Sequence, residues 1–135
     1  MDPAFHKAIF NIPDQKTFRE ITLKVFLYQA RHTPVYGEYL KKLKIDPMQI
    51  NNVEEIPFLP VEFFKTHRVM NAGKTAETLF QSSGTTAQIP AQHSIADVSL
   101  YQESFTRGFT RFYGAPENFC IVALLPPRFR PGGFK

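Results

Sequence analysis

ETLFQSSGTTAQIPAQHSI, residues 77–95, is the stretch on which the reading of this chain turns. ETLFQSS follows the turn signal NAGK at 71–74 and reads as a short strand, and PAQHSI at 90–95 reads as the return strand of a hairpin. Between them Ser82, Ser83, Thr85 and Thr86 set four hydroxyls around Gly84. Taken alone, a Ser/Thr/Gly loop is usually a polar hairpin turn. The same composition also suits an anion, because hydroxyls and backbone N–H groups donate hydrogen bonds and a glycine without Cβ permits close approach.

Downstream, Ser94 precedes Asp97 by three residues, a capping-box spacing at a helix start. Val98, Tyr101, Phe105, Phe109 and Phe112 then recur at helical intervals, and Gly114 stands where a C′ glycine belongs. NFCIVALL, 118–125, is a continuous apolar run bounded by Asn118 and Pro126 that predicts a buried strand of a parallel or mixed sheet.

Upstream, DQKTFREITLKVFLYQARHT (14–33) has Phe18, Ile21, Val25 and Tyr28 on one helical face, widened by Phe26 and Leu27, with Asp14 as N-cap. Pro34 opens a second helix, PVYGEYLKKL. Residues 46–69, DPMQINNVEEIPFLPVEFFKTHRV, predict loop and short helical turns docked by Ile56, Phe58, Leu59, Phe63 and Phe64. The expected class is therefore α/β behind a helical lead-in. A central strand at 118–125 would need a crossover and further strands beside it. We therefore expect 1–125 to be the N-terminal part of a larger domain, with the Pro/Gly/Arg-rich residues 126–135 a non-native or truncated tail.

Composition narrows the function classes. The 135 residues suffice for one domain, and 43% hydrophobic with 21% charged residues is a globular balance. No apolar run approaches the roughly 18–20 residues of a membrane span. MDPAFHKAIF lacks the basic-then-apolar layout of a secretory signal, and the single Cys suits a reducing compartment, so the expected location is cytoplasmic. The net charge is +4, but without Arg128, Arg130 and Lys135 of the tail it falls to +1, which leaves no basic face for nucleic acid.

Other candidates read as structural. NAGKT holds the Gly-Lys-Thr that ends a P-loop, but Arg68 stands where that loop requires its first glycine, so Gly73 and Lys74 predict a turn. His6, His32, His67 and His93 show no metal-ligand spacing, and His93, which follows the loop on an expected strand, is a candidate to face a ligand. Lys65 is a candidate phosphate contact if FFK lies near the loop. Cys120, inside an apolar run, reads as inert packing. Tyr101, Phe105, Phe109 and Phe112 read as core, with an acyl pocket as the functional alternative.

The order Phe-x-S-S-G-T-T resembles the phosphate-binding signature of adenylate-forming enzymes, and IPFLPVEFFKTHRV upstream brings the chain close to acyl-protein synthetases and phenylacetate-CoA ligase-like enzymes. The resemblance spans about residues 10–125. It implies that Ser82, Ser83, Gly84, Thr85 and Thr86 hold the β- and γ-phosphates of ATP, with Mg²⁺, while a fatty or aryl carboxylic acid is converted to acyl-AMP. It further implies transfer of the acyl group to CoA or to a protein thiol or hydroxyl. The chain departs from the superfamily at Ala87, where glycine is common, and at Ala91, where lysine commonly follows Pro90. The adenine, ribose and adenylation-lysine segments implied by the resemblance find no counterpart after residue 125, so this chain alone is expected to be inactive. A stand-alone nucleotide- or anion-binding module and a Phe-rich interaction protein are the alternatives.

Overall fold

A computed structural model describes residues 3–82, 90–122 and 124. Five helices and one hairpin are present among them: α1 (Pro3–Ile9), α2 (Gln15–His32), α3 (Pro34–Lys42), the single turn α4 (Phe63–Thr66), β1 (Thr78–Gln81), β2 (Gln92–Ile95) and α5 (Val98–Tyr113). The chain divides into two compact units, residues 1–102 and 103–135.

The first unit is organised by α2. Asp14 is extended and its Oδ1 accepts from Thr17 N–H at 2.7 Å, which closes the first turn. Those hydrogen bonds hold the Asp14 carboxyl below its ordinary range. At the other end Thr33 is also extended, as the residue before a proline must be, and Pro34 starts α3. The chain reverses there and α3 packs on α2. Gly37 makes this approach possible, because a Cβ at that position would lie 3.0 Å from the Ala30 carbonyl oxygen.

The core lies between these helices: Phe26, Tyr36, Leu40 and Ile56 are buried, with Leu23, Leu27, Ala30 and Tyr39 against them. The core stripe of α2 is therefore 23, 26, 27 and 30, rotated from the expected Phe18-Ile21-Val25-Tyr28 face. Ile21 of that face is buried, but Phe18 is exposed and Val25 and Tyr28 wall a groove. Phe26, expected only to widen the face, is its centre because α3 and the segment around Ile56 both dock there. Helix α1 was not anticipated.

Between α3 and α4 the chain makes two 3₁₀ turns, Pro47–Gln49 and Val53–Glu55, the first capped by Asp46 Oδ1 accepting from Met48 N–H. Ile56 is the buried anchor of this segment and Leu59 packs beside it, whereas Phe58, expected to dock, is 79% exposed. Tyr36 pins the segment by donating its hydroxyl to the Pro57 carbonyl at 2.7 Å. Burial, reinforced by Tyr39 nearby, pushes the Tyr36 hydroxyl up to about 12.

The expected hairpin forms. β1 and β2 pair antiparallel, with Leu79 opposite Ser94, Phe80 opposite His93 and Gln81 opposite Gln92. Helix α5 follows, but Ser94 is a residue of β2 and does not cap it. Asp97 is the cap: its Oδ1 accepts from Leu100 N–H at 3.2 Å and from the Ser99 hydroxyl at 2.6 Å. Glu77, just before β1, takes the Val98 N–H at 2.9 Å, so a second carboxylate sits at the positive end of the helix.

In the second unit Gly114 ends α5 with φ +91° and donates its N–H to the Thr110 carbonyl, as its position predicted. Phe109 packs edge-on against Phe119 and beside Tyr113. The strand expected at 118–125 is corrected: its described residues are not in a strand, and Ile121, Val122 and Leu124 are 74%, 80% and 98% exposed. A strand exists only when a neighbouring edge takes its N–H and C=O groups, and the described sheet consists of β1 and β2 alone. Among the described residues the architecture is thus mixed α and β, dominated by helix, with one small antiparallel sheet.

Candidate functional site

The mouth of the hairpin is closed by Ser82. Its N–H donates to the Ala91 carbonyl at 3.0 Å, and its hydroxyl oxygen accepts from Ala91 N–H at 2.9 Å. A side-chain oxygen here takes the place a backbone carbonyl would hold in a continued ladder, which explains why β1 ends at Gln81. Ser82 keeps its hydroxyl proton available for donation, because a hydroxyl accepts and donates independently. Ser83, Gly84, Thr85 and Thr86 lie outside the described residues, as does Ala87.

Strand alternation gives the hairpin two faces. On one, His93 and Ile95 help line an open groove of about 830 Å³ that α2 borders with Val25 and Tyr28. Ile56, Leu59, Phe64 and Leu100 make its lining largely apolar. Polar groups sit along one side. Thr33, 4% exposed, places its hydroxyl 2.8 Å from Asn71 Oδ1, and Asn71 Nδ2 donates to the Tyr28 hydroxyl at 3.1 Å. Ala72 N–H bonds the His32 carbonyl, so the NAGK segment is tied to the C-terminal end of α2. It is the turn that the sequence predicted: Lys74 N–H reaches the Asn71 carbonyl.

His93 faces the groove and meets Phe64 edge-on, ring centres 5.5 Å apart. Asp97 and His6 line the groove as well. The hydrogen bond from Ser99 is the main reason that the Asp97 carboxyl lies below its ordinary value; the Leu100 N–H and His6 act in the same direction.

On the other face Leu79, Gln92 and Ser94 help line a smaller cavity of about 360 Å³, whose opposite wall is Lys65, Thr66, His67 and Arg68. Lys65 therefore does come beside the hairpin, as its candidacy required. Arg68 and Thr66 were missed, although KTHR at 65–68 shows three basic or titratable side chains in four positions. The aromatic stripe on α5 is divided: Tyr101 contacts Phe80, while Phe105 and Phe112 are exposed, and none of the four lines either cavity. Cys120 is exposed, which corrects its reading as buried packing. Among the described residues no helix is long and apolar enough to cross a membrane.

A family model described as acyl-protein synthetase, LuxE, matches residues 10–132. No curated protein and no solved structure matches the chain.

Proposed function

The chain belongs to the acyl-protein synthetase family, and from that premise we propose that residues 82–86 bind the phosphates of ATP during activation of a carboxylic acid. A fatty or aryl carboxylate attacks the α-phosphate, acyl-AMP forms and pyrophosphate departs. A thiol or hydroxyl of the acceptor, losing its proton, then attacks the acyl carbonyl of acyl-AMP, and AMP departs as the acyl ester or thioester forms. Ser82, Ser83, Thr85 and Thr86 offer hydroxyl donors, and Gly84 offers a backbone without Cβ, where negative charge develops on the departing pyrophosphate. Bound Mg²⁺ supplies counter-charge to those phosphates. Among the described residues no three His, Cys, Asp or Glu side chains converge on a metal position.

The observation that carries this reading is the Ser82–Ala91 closure, which holds the first serine of the S-S-G-T-T segment and residue 91 at one strand spacing. The groove on the hairpin's other face supports it, because its volume and apolar lining suit the chain or ring of an organic acid. Family membership favours an enzyme over a stand-alone anion-binding module or a Phe-rich interaction protein.

The test has two arms. Millimolar Mg²⁺–ATP is expected to raise the melting temperature of the chain, and Thr85→Ala with Ser83→Ala to abolish the rise. Acid-dependent exchange of labelled pyrophosphate into ATP is expected to be lost in the same double variant. No thermal response to Mg²⁺–ATP, or exchange left unchanged by the double variant, refutes the phosphate-loop reading.

A further inference from the structure

We propose that Lys65 and Arg68, with Thr66, Gln92 and Ser94, form a subsite for a phosphate group on the outer face of the hairpin. The inference rests on the ATP reading of the neighbouring loop and adds the cations that the loop lacks. Three observations lead to it.

The first is charge without a partner. Among the described residues no carboxylate pairs with Lys65 or Arg68, and no acid lines their cavity. Among the described residues the one side-chain hydrogen bond of Arg68 is a weak one to Met70 Sδ at 4.0 Å. Two adjacent uncompensated cations raise the local potential for an anion.

The second is the donor set. Gln92 and Ser94 come from alternate positions of β2 and face the KTHR segment, while Thr66 at the end of α4 lines the same cavity with a hydroxyl that pairs with His67 Nδ1 at 2.8 Å. The side chains of Gln92 and Ser94 make no hydrogen bond within the described residues. Arginine's planar fork and lysine's point charge, set among neutral donors, are the chemistry that recognises a phosphate.

The third is support. His67 stacks on Phe63 with ring centres 5.1 Å apart, and its N–H bonds the Phe63 carbonyl at 2.7 Å. This holds the turn between Lys65 and Arg68. Phe64, from the same turn, packs against His93 of β2 and locks the segment to the hairpin. The cations are thus held beside β2, the strand that begins just after Ala91, where the superfamily's usual lysine is missing.

Phosphate of this kind has two sources, the nucleotide or a phosphorylated acyl acceptor such as CoA. Pyrophosphate is titrated into the isotope-labelled chain and followed through the amides of Gln92 and Ser94 and the Arg68 Nε–H. Saturable shifts are expected, with affinity about tenfold weaker in Lys65→Ala and in Arg68→Ala and unchanged in the control Lys42→Ala. Both target side chains are exposed, so the variants are expected to fold, and Arg68→Gln repeats the charge removal with less loss of volume. Displacement of pyrophosphate by Mg²⁺–ATP, or instead by CoA, supports the subsite and assigns its source. Unsaturable shifts, or equal affinity in Lys65→Ala and Arg68→Ala, overturn it. Thr85→Ala separates the two readings. Binding lost in that variant but kept in Lys65→Ala and Arg68→Ala overturns the subsite and leaves the loop standing. The reverse pattern keeps the subsite and removes the loop.

Discussion

Replacing Tyr36 by Phe makes stability depend differently on pH, and the size of the effect follows from its surroundings. Tyr36 is 8% exposed, packs edge-on against Phe26 at 6.1 Å, and donates its hydroxyl to the Pro57 carbonyl. Removing the hydroxyl leaves that carbonyl without its donor and costs about 1 kcal/mol at pH 8. The wild-type hydroxyl titrates at about 12 in the folded chain against an ordinary value of 10. Between those values the unfolded chain has lost the proton while the folded chain retains it, so the stability of the folded state falls as pH rises. The contribution is complete below pH 10, and the loss is about 1.4 kcal/mol at pH 11. Tyr36→Phe lacks this term. Urea unfolding followed by circular dichroism at pH 8, 9, 10 and 11 compares the two proteins, and the other tyrosines and lysines cancel in the difference. The deficit of the variant is expected to shrink from about pH 10, to cross zero between pH 10 and 11, and to leave the variant more stable by about 0.4 kcal/mol at pH 11. A deficit that stays constant from pH 8 to 11 refutes the account of Tyr36 as a buried, hydrogen-bonded phenol.

Leu40, 1% exposed in the centre of the core, is expected to cost about 2–5 kcal/mol when cut to Ala, measured as a lower urea midpoint with unchanged slope. Asp97→Ala removes the acceptor for Leu100 N–H and the Ser99 hydroxyl and should cost about 1 kcal/mol. Because the folded Asp97 carboxyl lies below its ordinary value, its contribution is present above the carboxylate range and fades as pH falls through it. Asp97→Asn should keep the cap and lose that pH dependence, visible in melting temperatures between pH 6 and 3. Cys120 is expected to react with a thiol reagent in native buffer in a single phase; a reaction that waits for denaturant contradicts its exposure.

Much of the first unit could be read from local chemistry. Asp14 and the apolar period marked α2, and Pro34 marked the start of α3, because caps and helix starts depend on residues within one turn. The NAGK turn and the polar stretch after ETLFQ marked the hairpin for the same reason. What failed depends on distant partners. Which stripe of α2 meets the core depended on where Ile56 docks, thirty positions from Phe26 in sequence. Ser94 satisfied a capping-box spacing but was taken by the sheet, leaving the role to Asp97. NFCIVALL has the apolar content of a buried strand, yet apolarity names only a preference for burial and cannot supply the paired edge that a strand needs. Lys65 was picked out by its position before the loop, whereas Arg68 became visible only once α4 was seen to pack beside β2.

The Ser82–Ala91 closure has a practical consequence. Register is pinned below the closure by Leu79–Ser94 and Gln81–Gln92, so the strand pairs and the closure set the two anchor positions by themselves. Lengthening a closed loop costs only about 0.6 kcal/mol for each doubling. Foreign phosphate- or metal-binding sequences can therefore be grafted between these two anchors while the strands stay in register, provided that position 91 retains its N–H and position 82 an oxygen to receive it.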